Sequence, residues 1–503
     1  MTFRDLKVGN SIISDSRIAN NAFIWGQEFE KIFKENGGFD IVLGNPPYVD
    51  SRETMSDAEK NYYRHHYTMS QYQENLYRVF TEKGFNLLKS GGWFGFIVPK
   101  TWFSNIYFAK MRSFLRTKTA HLKVIDIKDQ IFEDASVDTS LIIFKKPIKN
   151  EEKNNFMTVG QWKNNEIVYE QLQKIPENKE EPIVTVKSNR ILDGILTKIK
   201  KNSIGNISNF LNITAGIELF EKGKGTPKQP VNQEEFDEFK KSNDFFSPYP
   251  LSKDYYPFYD KNKLQRYRLI KNETYLKYGK QLAAPRKLSN FKGEHIIIRR
   301  VPGKGNTIMQ ATLVDNGIYL HEQAIWDAQL INEGNLKFLL GLINSSITSY
   351  WLIMKLGVLS RSTYPQLRKS AIESIPVPKI SKQRQNIIIN EVSTILEVET
   401  KITKLIDKFK TTLNLYSKSK LPTFNSFVNN KDTIRKWVIK NVSPQKAAEV
   451  LEYVESLIKN YHVLALKVDS SSKNIDKQLY AAFKITDNEI KELNTIFAKV
   501  KEK

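Results

Sequence analysis

The residues best suited to do chemistry are Asn45, Pro46, Pro47 and Tyr48. They close the run Gly38-Phe39-Asp40-Ile41-Val42-Leu43-Gly44. Its apolar, β-branched centre between glycines predicts a short buried strand over Phe39 to Leu43. The four residues then sit just past the carboxyl end of a strand, where open α/β sheets place their ligands. Pro46 biases Asn45 away from helical geometry, and neither proline has an N–H to donate. The result is a stiff loop offering carbonyl oxygens, one carboxamide and one aromatic ring. That inventory suits methylation of an exocyclic amino group on a nucleobase. The lone pair of such a nitrogen is delocalised into the ring. Two acceptors, the Asn45 side-chain oxygen and the Pro46 carbonyl, can take its two N–H bonds and draw it towards a tetrahedral shape. Tyr48 supplies a flat face for a base swung out of a duplex.

The elements that must position this loop follow in order. From Glu74 the residues Leu76, Val79, Phe80, Phe85 and Leu88 recur at helical spacing, with Gly91-Gly92 as the stop. Trp93 to Pro99 reads as a second buried strand, and Phe103, Met111, Phe114 and Leu115 mark a second helix. Leu122 to Ile127 and Ser140 to Phe144 are two further strands, joined by a connection that carries Phe132. Leu6 to Ile13 reads as a strand with its exit loop, and 49 to 71 as a polar, turn-rich segment. His65-His66 lies in the latter without other ligands at metal-binding spacing, so no metal site is expected.

This order of elements resembles the amino-group DNA methyltransferases, specifically the adenine-specific branch with the Asn-Pro-Pro-Tyr motif. Phe39-Asp40, the helix from Glu74 to Lys89, Gly91-Gly92, Phe96-Ile97-Val98-Pro99 and Phe132 ahead of Ser140 to Phe144 carry the likeness. It is nearest to the combined restriction–modification enzymes and their TaqI-like relatives, and it weakens after about residue 380. The resemblance implies S-adenosylmethionine as methyl donor and double-stranded DNA as substrate. It also implies that Phe132 stacks on the extruded adenine opposite Tyr48, and that Asn10 approaches the adenine of the cofactor. The family's glycine-rich cofactor loop lies upstream of anything here. Gly223-Lys224-Gly225 and Gly303-Lys304-Gly305 lack the strand and helix that would make them substitutes. The chain is therefore expected to be the carboxyl-terminal part of a longer or split enzyme, needing an upstream segment or partner chain.

Composition narrows the class. The 503 residues hold 77 Lys+Arg against 55 Asp+Glu, a net charge of +22, which suits a polyanionic partner. The absence of cysteine removes thiolate zinc sites, disulfides and the thiolate nucleophile that methylation of cytosine carbon needs. No apolar stretch approaches the ~18 residues of a membrane span, so a cytoplasmic protein with no membrane partner is expected.

The expected fold is α/β. It comprises a partial Rossmann-like methyltransferase domain over 1–147, a charged linker with one possible hairpin over 148–185, an α+β target-recognition domain over 186–380, and a helical region over 381–503. In the third segment basic and aromatic residues interleave, as phosphate and base contact require; Arg266, Arg268, Arg299 and Arg300 are its candidate DNA contacts. Val392, Ile395, Val398, Ile402, Leu405, Phe409 and Leu413 form the stripe of a long amphipathic helix, for which spacer, partner-binding and self-packing roles are all open. Two rival functions remain: a non-catalytic DNA-binding specificity module, and a methyltransferase acting on RNA or on a protein amide.

Overall fold

The computed structural model describes residues 6–48, 55–70, 75–103, 105–129, 131, 138–149, 155–181, 183, 190–270, 274–303, 306–356, 367–416, 421 and 423–501. The chain forms two compact units, Met1–Asn189 with Ile353–Tyr364, and Arg190–Leu352 with Pro365–Lys503.

The first unit is built on a six-stranded sheet: β1 Phe39–Gly44, β2 Leu88–Pro99, β3 Ala120–Ile127, β4 Thr139–Lys145, β5 Phe156–Lys163 and β6 Glu166–Lys174, in the order β1-β2-β4-β3-β5-β6. β1 is parallel to β2, and β2 and β3 are each antiparallel to β4, so β1, β2 and β3 point the same way. Their carboxyl ends share one edge of the sheet. Phe94, Phe96, Val98, Leu122, Val124, Ile142 and Phe144 fill the core beneath it with Trp102, Met111 and Leu115. The helix Leu76–Leu87 packs on the sheet. Its buried Glu82 accepts from the amides of Thr68 and Met69, fixing the preceding turn.

Several expectations are corrected. The Phe39–Gly44 strand exists but is an edge strand, with Ile41 58% and Leu43 75% exposed rather than buried. Helix Leu76–Leu87 ends before Gly91-Gly92, and both glycines lie inside β2. Gly91 has φ +81°, a left-handed kink that glycine tolerates. Residues 6–13 make no strand: only an isolated bridge joins Asn10 to Ala22, and Ile12 and Ile13 are buried. Segment 57–66 is helical, its Ser56 and Glu59 forming a reciprocal capping box that the polar composition concealed. The 148–185 segment holds β5 and β6, which extend the sheet beside β3, so it is not a linker.

The second unit has two four-stranded sheets. One runs Ala311–Val314, His295–Arg299, Ile325–Leu330, Leu211–Ala215, and the other Leu320–His321, Tyr255–Tyr259, Tyr275–Lys277, Phe246–Ser247. The long helices Lys382–Asn414 and Pro444–Phe483 belong to this same unit rather than forming a separate region. A side chain on Gly341 would meet Ile388 at 2.8 Å and Val392 at 3.0 Å, so helix Leu336–Ile343 lies directly against the first long helix. The apolar stripe therefore packs on the protein's own body. No single helix among the described residues is long and apolar enough to cross a membrane.

Candidate active site

Asn45-Pro46-Pro47-Tyr48 leaves β1 at the edge where β1, β2 and β3 end. Gly38, just ahead of this strand, has φ +137°, and a Cβ there would lie 2.6 Å from the Leu87 carbonyl. Only glycine allows β1 to approach so closely. Asn45 and Pro47 are exposed, Pro46 is buried, and Tyr48 is half-buried. The Tyr48 hydroxyl donates to the Ile97 carbonyl on β2 at 3.2 Å. Its ring meets Tyr77 edge-on, 6.4 Å between centroids. Tyr77 is itself locked: fully buried, stacked on Phe108, and paired through its hydroxyl with Thr101 Oγ1 at 2.9 Å. Burial pushes the Tyr48 phenol above its usual range, so it stays neutral and donating.

A second feature of the same edge was not read from the sequence. Lys100, the residue after β2, is buried with its Nζ 3.1 Å from Asp126 Oδ1 and 3.6 Å from Asp138 Oδ2. Asp126 is fully enclosed in β3, and its other oxygen is 2.6 Å from Lys128 Nζ. Burial holds the Lys128 amine below its usual range, although Asp126 opposes the shift. The lattice joins the ends of β2 and β3 to the start of β4. An aspartate inside the apolar run Val124-Ile125-Asp126-Ile127 was the signal available for it.

The other expected site residues scatter. Phe132 lies outside the described residues. Asn10 spends its side-chain oxygen on the amides of Ile12 and Ile13, at 3.3 and 3.2 Å. Arg266 donates to the Asn344 carbonyl at 2.8 Å and lies over the Tyr267 ring. Arg268 pairs with Glu399 at 3.3 Å and with Gln265. Arg300 donates to the Gln323 carbonyl and covers Trp326. These three guanidinium groups thus have internal partners. Arg299 lies partly buried at the end of its strand, its Nε without a hydrogen-bond partner. His65 and His66 cap the end of a helix, and no metal-binding group of three ligands occurs among the described residues.

The sheet, with its Asn-Pro-Pro-Tyr loop at the shared carboxyl edge, defines a fold of the S-adenosylmethionine-dependent methyltransferase class, joined to a β-rich unit with long helices. Residues 3–132 match the Eco57I restriction-modification methylase family and residues 256–377 the TaqI-like C-terminal specificity domain, so the chain is similar to a restriction–modification methylase over its first unit and to a specificity domain over part of its second. Among its relatives is RM.MjaORFECS2P of Methanocaldococcus jannaschii, named as a candidate type II restriction enzyme and methyltransferase. It is 25% identical over 94% of this chain and 36% of its own length. The type II methyltransferase M.TthHB8I of Thermus thermophilus is 30% identical over 23% of this chain and 28% of its own. The type IIL restriction-modification enzyme MmeI, solved in complex with DNA, shares the fold at TM-score 0.50 and 11% identity, over 95% of this chain and 58% of that one. The chain thus spans about a third of the length of the archaeal relative.

Proposed function

We propose that this chain carries the target-base side of an adenine-specific DNA methyltransferase of a restriction–modification system, together with its DNA-recognition domain. The observation that carries the reading is the anchored loop. Asn45 is exposed one residue past β1, while Tyr48 is tied by its hydroxyl to Ile97 and braced by Tyr77. Extruded adenine stacks on Tyr48. Its amino group donates to the Asn45 oxygen and the Pro46 carbonyl, which pyramidalises the nitrogen and turns its lone pair outward. The proton leaves after the nitrogen has gained positive charge, so no general base is needed.

S-adenosylmethionine supplies an electrophilic methyl group when bound. The Asn10 carboxamide fits it: the oxygen is used locally, and the NH2 group can donate to an acceptor nitrogen of an adenine. The exposed apolar edge of β1 supports a further requirement. A segment of the same polypeptide or of a partner chain covers Ile41 and Leu43 in the active enzyme.

The test is transfer of tritiated methyl groups to duplex DNA by the polypeptide that contains this chain, with the modified base identified by mass. N6-methyladenine is expected. Asn45→Ala should lose roughly 10²–10³-fold in rate, the scale for removing one acceptor or donor aimed at developing charge, with DNA affinity retained. Equal rates for the variant and the parent refute the assignment. Label appearing in RNA or protein instead of DNA would do so as well.

A further inference from the structure

Two histidines and an aspartate are completely enclosed in the second unit: His295, His321 and Asp327. His295 Nε2 is 3.1 Å from Asp327 Oδ1, and His321 Nε2 is 3.0 Å from Oδ2. The second ring nitrogens face backbone carbonyls. His295 Nδ1 lies 2.7 Å from the Gly293 oxygen, and His321 Nδ1 lies 3.2 Å from that of Glu322. A carbonyl oxygen only accepts, so each Nδ1 carries a proton. Each Nε2 then faces a carboxylate oxygen, and a bare lone pair there would be repelled. His321 is bracketed by two acceptors, a setting that favours its charged ring.

The placement of the three groups gives the trio its leverage. Asp327 and His295 belong to one sheet. Ile297 is the direct partner of Asp327, so His295, two residues away, shares its face. His321 belongs to the other sheet, in the strand paired with Tyr255–Tyr259. One carboxylate therefore joins two sheets through two rings, with the Phe291 ring edge-on against His321. Burial pulls His321 down, but the charge of Asp327, aided by Glu322, outweighs it and holds the imidazole above its ordinary value. Burial would raise Asp327, yet His321 and His295 hold it below the usual carboxylate range. Asp327 is the charge facing His295, and Asp327 and Glu322 are those facing His321.

We propose that this trio is a proton-operated staple, which locks the two sheets of the second unit while the His321 imidazole is charged and loosens them when it is not. An ion cluster buried in place of apolar residues brings little net stability by itself, which leaves proton sensitivity as its distinctive property. The sign follows from linkage. His321 holds its proton more tightly folded than unfolded. Its contribution is full below its ordinary value of 6.5 and is lost as pH climbs through the folded value. Asp327 contributes fully above its ordinary 3.8 and loses that contribution on acidification. Where the unit recognises DNA, as proposed above, recognition weakens on the alkaline side.

Urea unfolding of the full chain from pH 5 to pH 9 tests the staple. The other histidines, His65, His66, His121 and His462, are exposed, and there is no cysteine. A slope between pH 6.5 and 9 that depends on His321 therefore reports the buried cluster. The parent midpoint should fall as pH rises. His321→Gln should start lower at pH 6 and lie flat through that window. Asp327→Asn should lose the fall above pH 6.5 and show instead a rise between pH 5 and 6.5, because His321 buried without its counter-charge favours the neutral form. Should Asp327→Asn fail to fold, carbon-13 histidine resonances of the parent decide: the His321 ring should stay charged above its ordinary value of 6.5. A parent slope retained in His321→Gln, or a His321 ring that loses its proton at or below 6.5, overturns the staple. Binding to duplex DNA by anisotropy at pH 6.5 and 8.5 forms a separate arm. No DNA binding at either pH overturns the recognition reading, while the unfolding data still judge the staple.

Discussion

The Tyr48 hydroxyl donates to the Ile97 carbonyl at 3.2 Å, so the ring next to Asn45 is tied to the neighbouring strand rather than left to rotate. Tyr77 braces it from the side and is held in turn by Thr101. Ring and tether are therefore separable. Tyr48→Phe keeps the stacking face and loses one hydrogen bond, a change of about 0.5–1.5 kcal/mol. Tyr48→Ala loses the face, worth about 1–3 kcal/mol for a stacked base. Fluorescence of 2-aminopurine at the target position should thus rise strongly in the parent, less in Tyr48→Phe, and least in Tyr48→Ala. Equal signals from Tyr48→Ala and the parent would show that this ring does not meet the base.

The Lys100–Asp126 pair sits at the same edge in a nearly water-free setting. Removing one member of such a pair leaves the other charge buried and costs about 3–5 kcal/mol. Lys100→Met and Asp126→Asn should each lower the unfolding free energy, Asp126→Asn by that amount, read as a fall in the urea midpoint at constant m. Lys128 remains beside Asp126 in Lys100→Met, so Asp126→Asn should be the milder change only if Lys100 relocates to Asp138. Midpoints unchanged by both substitutions would mean that the lattice is solvated in solution.

Arg268 reaches Glu399 on the first long helix, both side chains largely enclosed. Burial raises the Glu399 carboxyl above its usual range although Arg268 opposes this. Arg268→Ala should therefore destabilise by about 3–5 kcal/mol, and pairing it with Glu399→Leu should recover much of the loss. The salt dependence of DNA binding by Arg268→Ala should match the parent. A phosphate contact would instead reduce the slope of log K against log salt by about one.

Local pattern and non-local packing differed in how far they could be read. The strand before Asn45, the helix over Leu76–Leu87 and the stripe from Val392 to Leu413 were legible, because each depends on neighbouring residues. That β1 is an edge strand was not, since strand order is a property of the whole sheet. The charged run around 148–185 read as linker because charged stretches flank the β5–β6 hairpin and it keeps Phe156, Ile167, Val168 and Leu172 exposed, leaving only the short Met157, Val159 alternation to mark it. Arg266 and Arg268 read as DNA contacts because their partners, the Asn344 carbonyl and Glu399, are remote in sequence. Asn45 and Tyr48 could be proposed from their types and position, whereas the supports of Tyr48 at Ile97 and Tyr77 required the fold.

The second unit extends beyond residue 380. Sequence placed a boundary near residue 380, yet Ile388 and Val392 press on Gly341, and Asp476 on the second long helix accepts from the Ser346 amide at 2.8 Å and its hydroxyl at 2.6 Å. Burial raises the Asp476 carboxyl above its usual range, as befits a group enclosed within one core. A fragment ending at 380 would uncover helix Leu336–Ile343, six of whose residues are buried. At about 25 cal/mol per Å2 of apolar surface, losing that cover removes more than a marginally stable domain can spare. Residues 190–503 should therefore express as a monomeric species with a cooperative melt, while 186–380 should aggregate or bind a hydrophobic dye without a melting transition. A cooperative melt of 186–380 equal to that of the longer fragment would show that the two long helices are not part of its core.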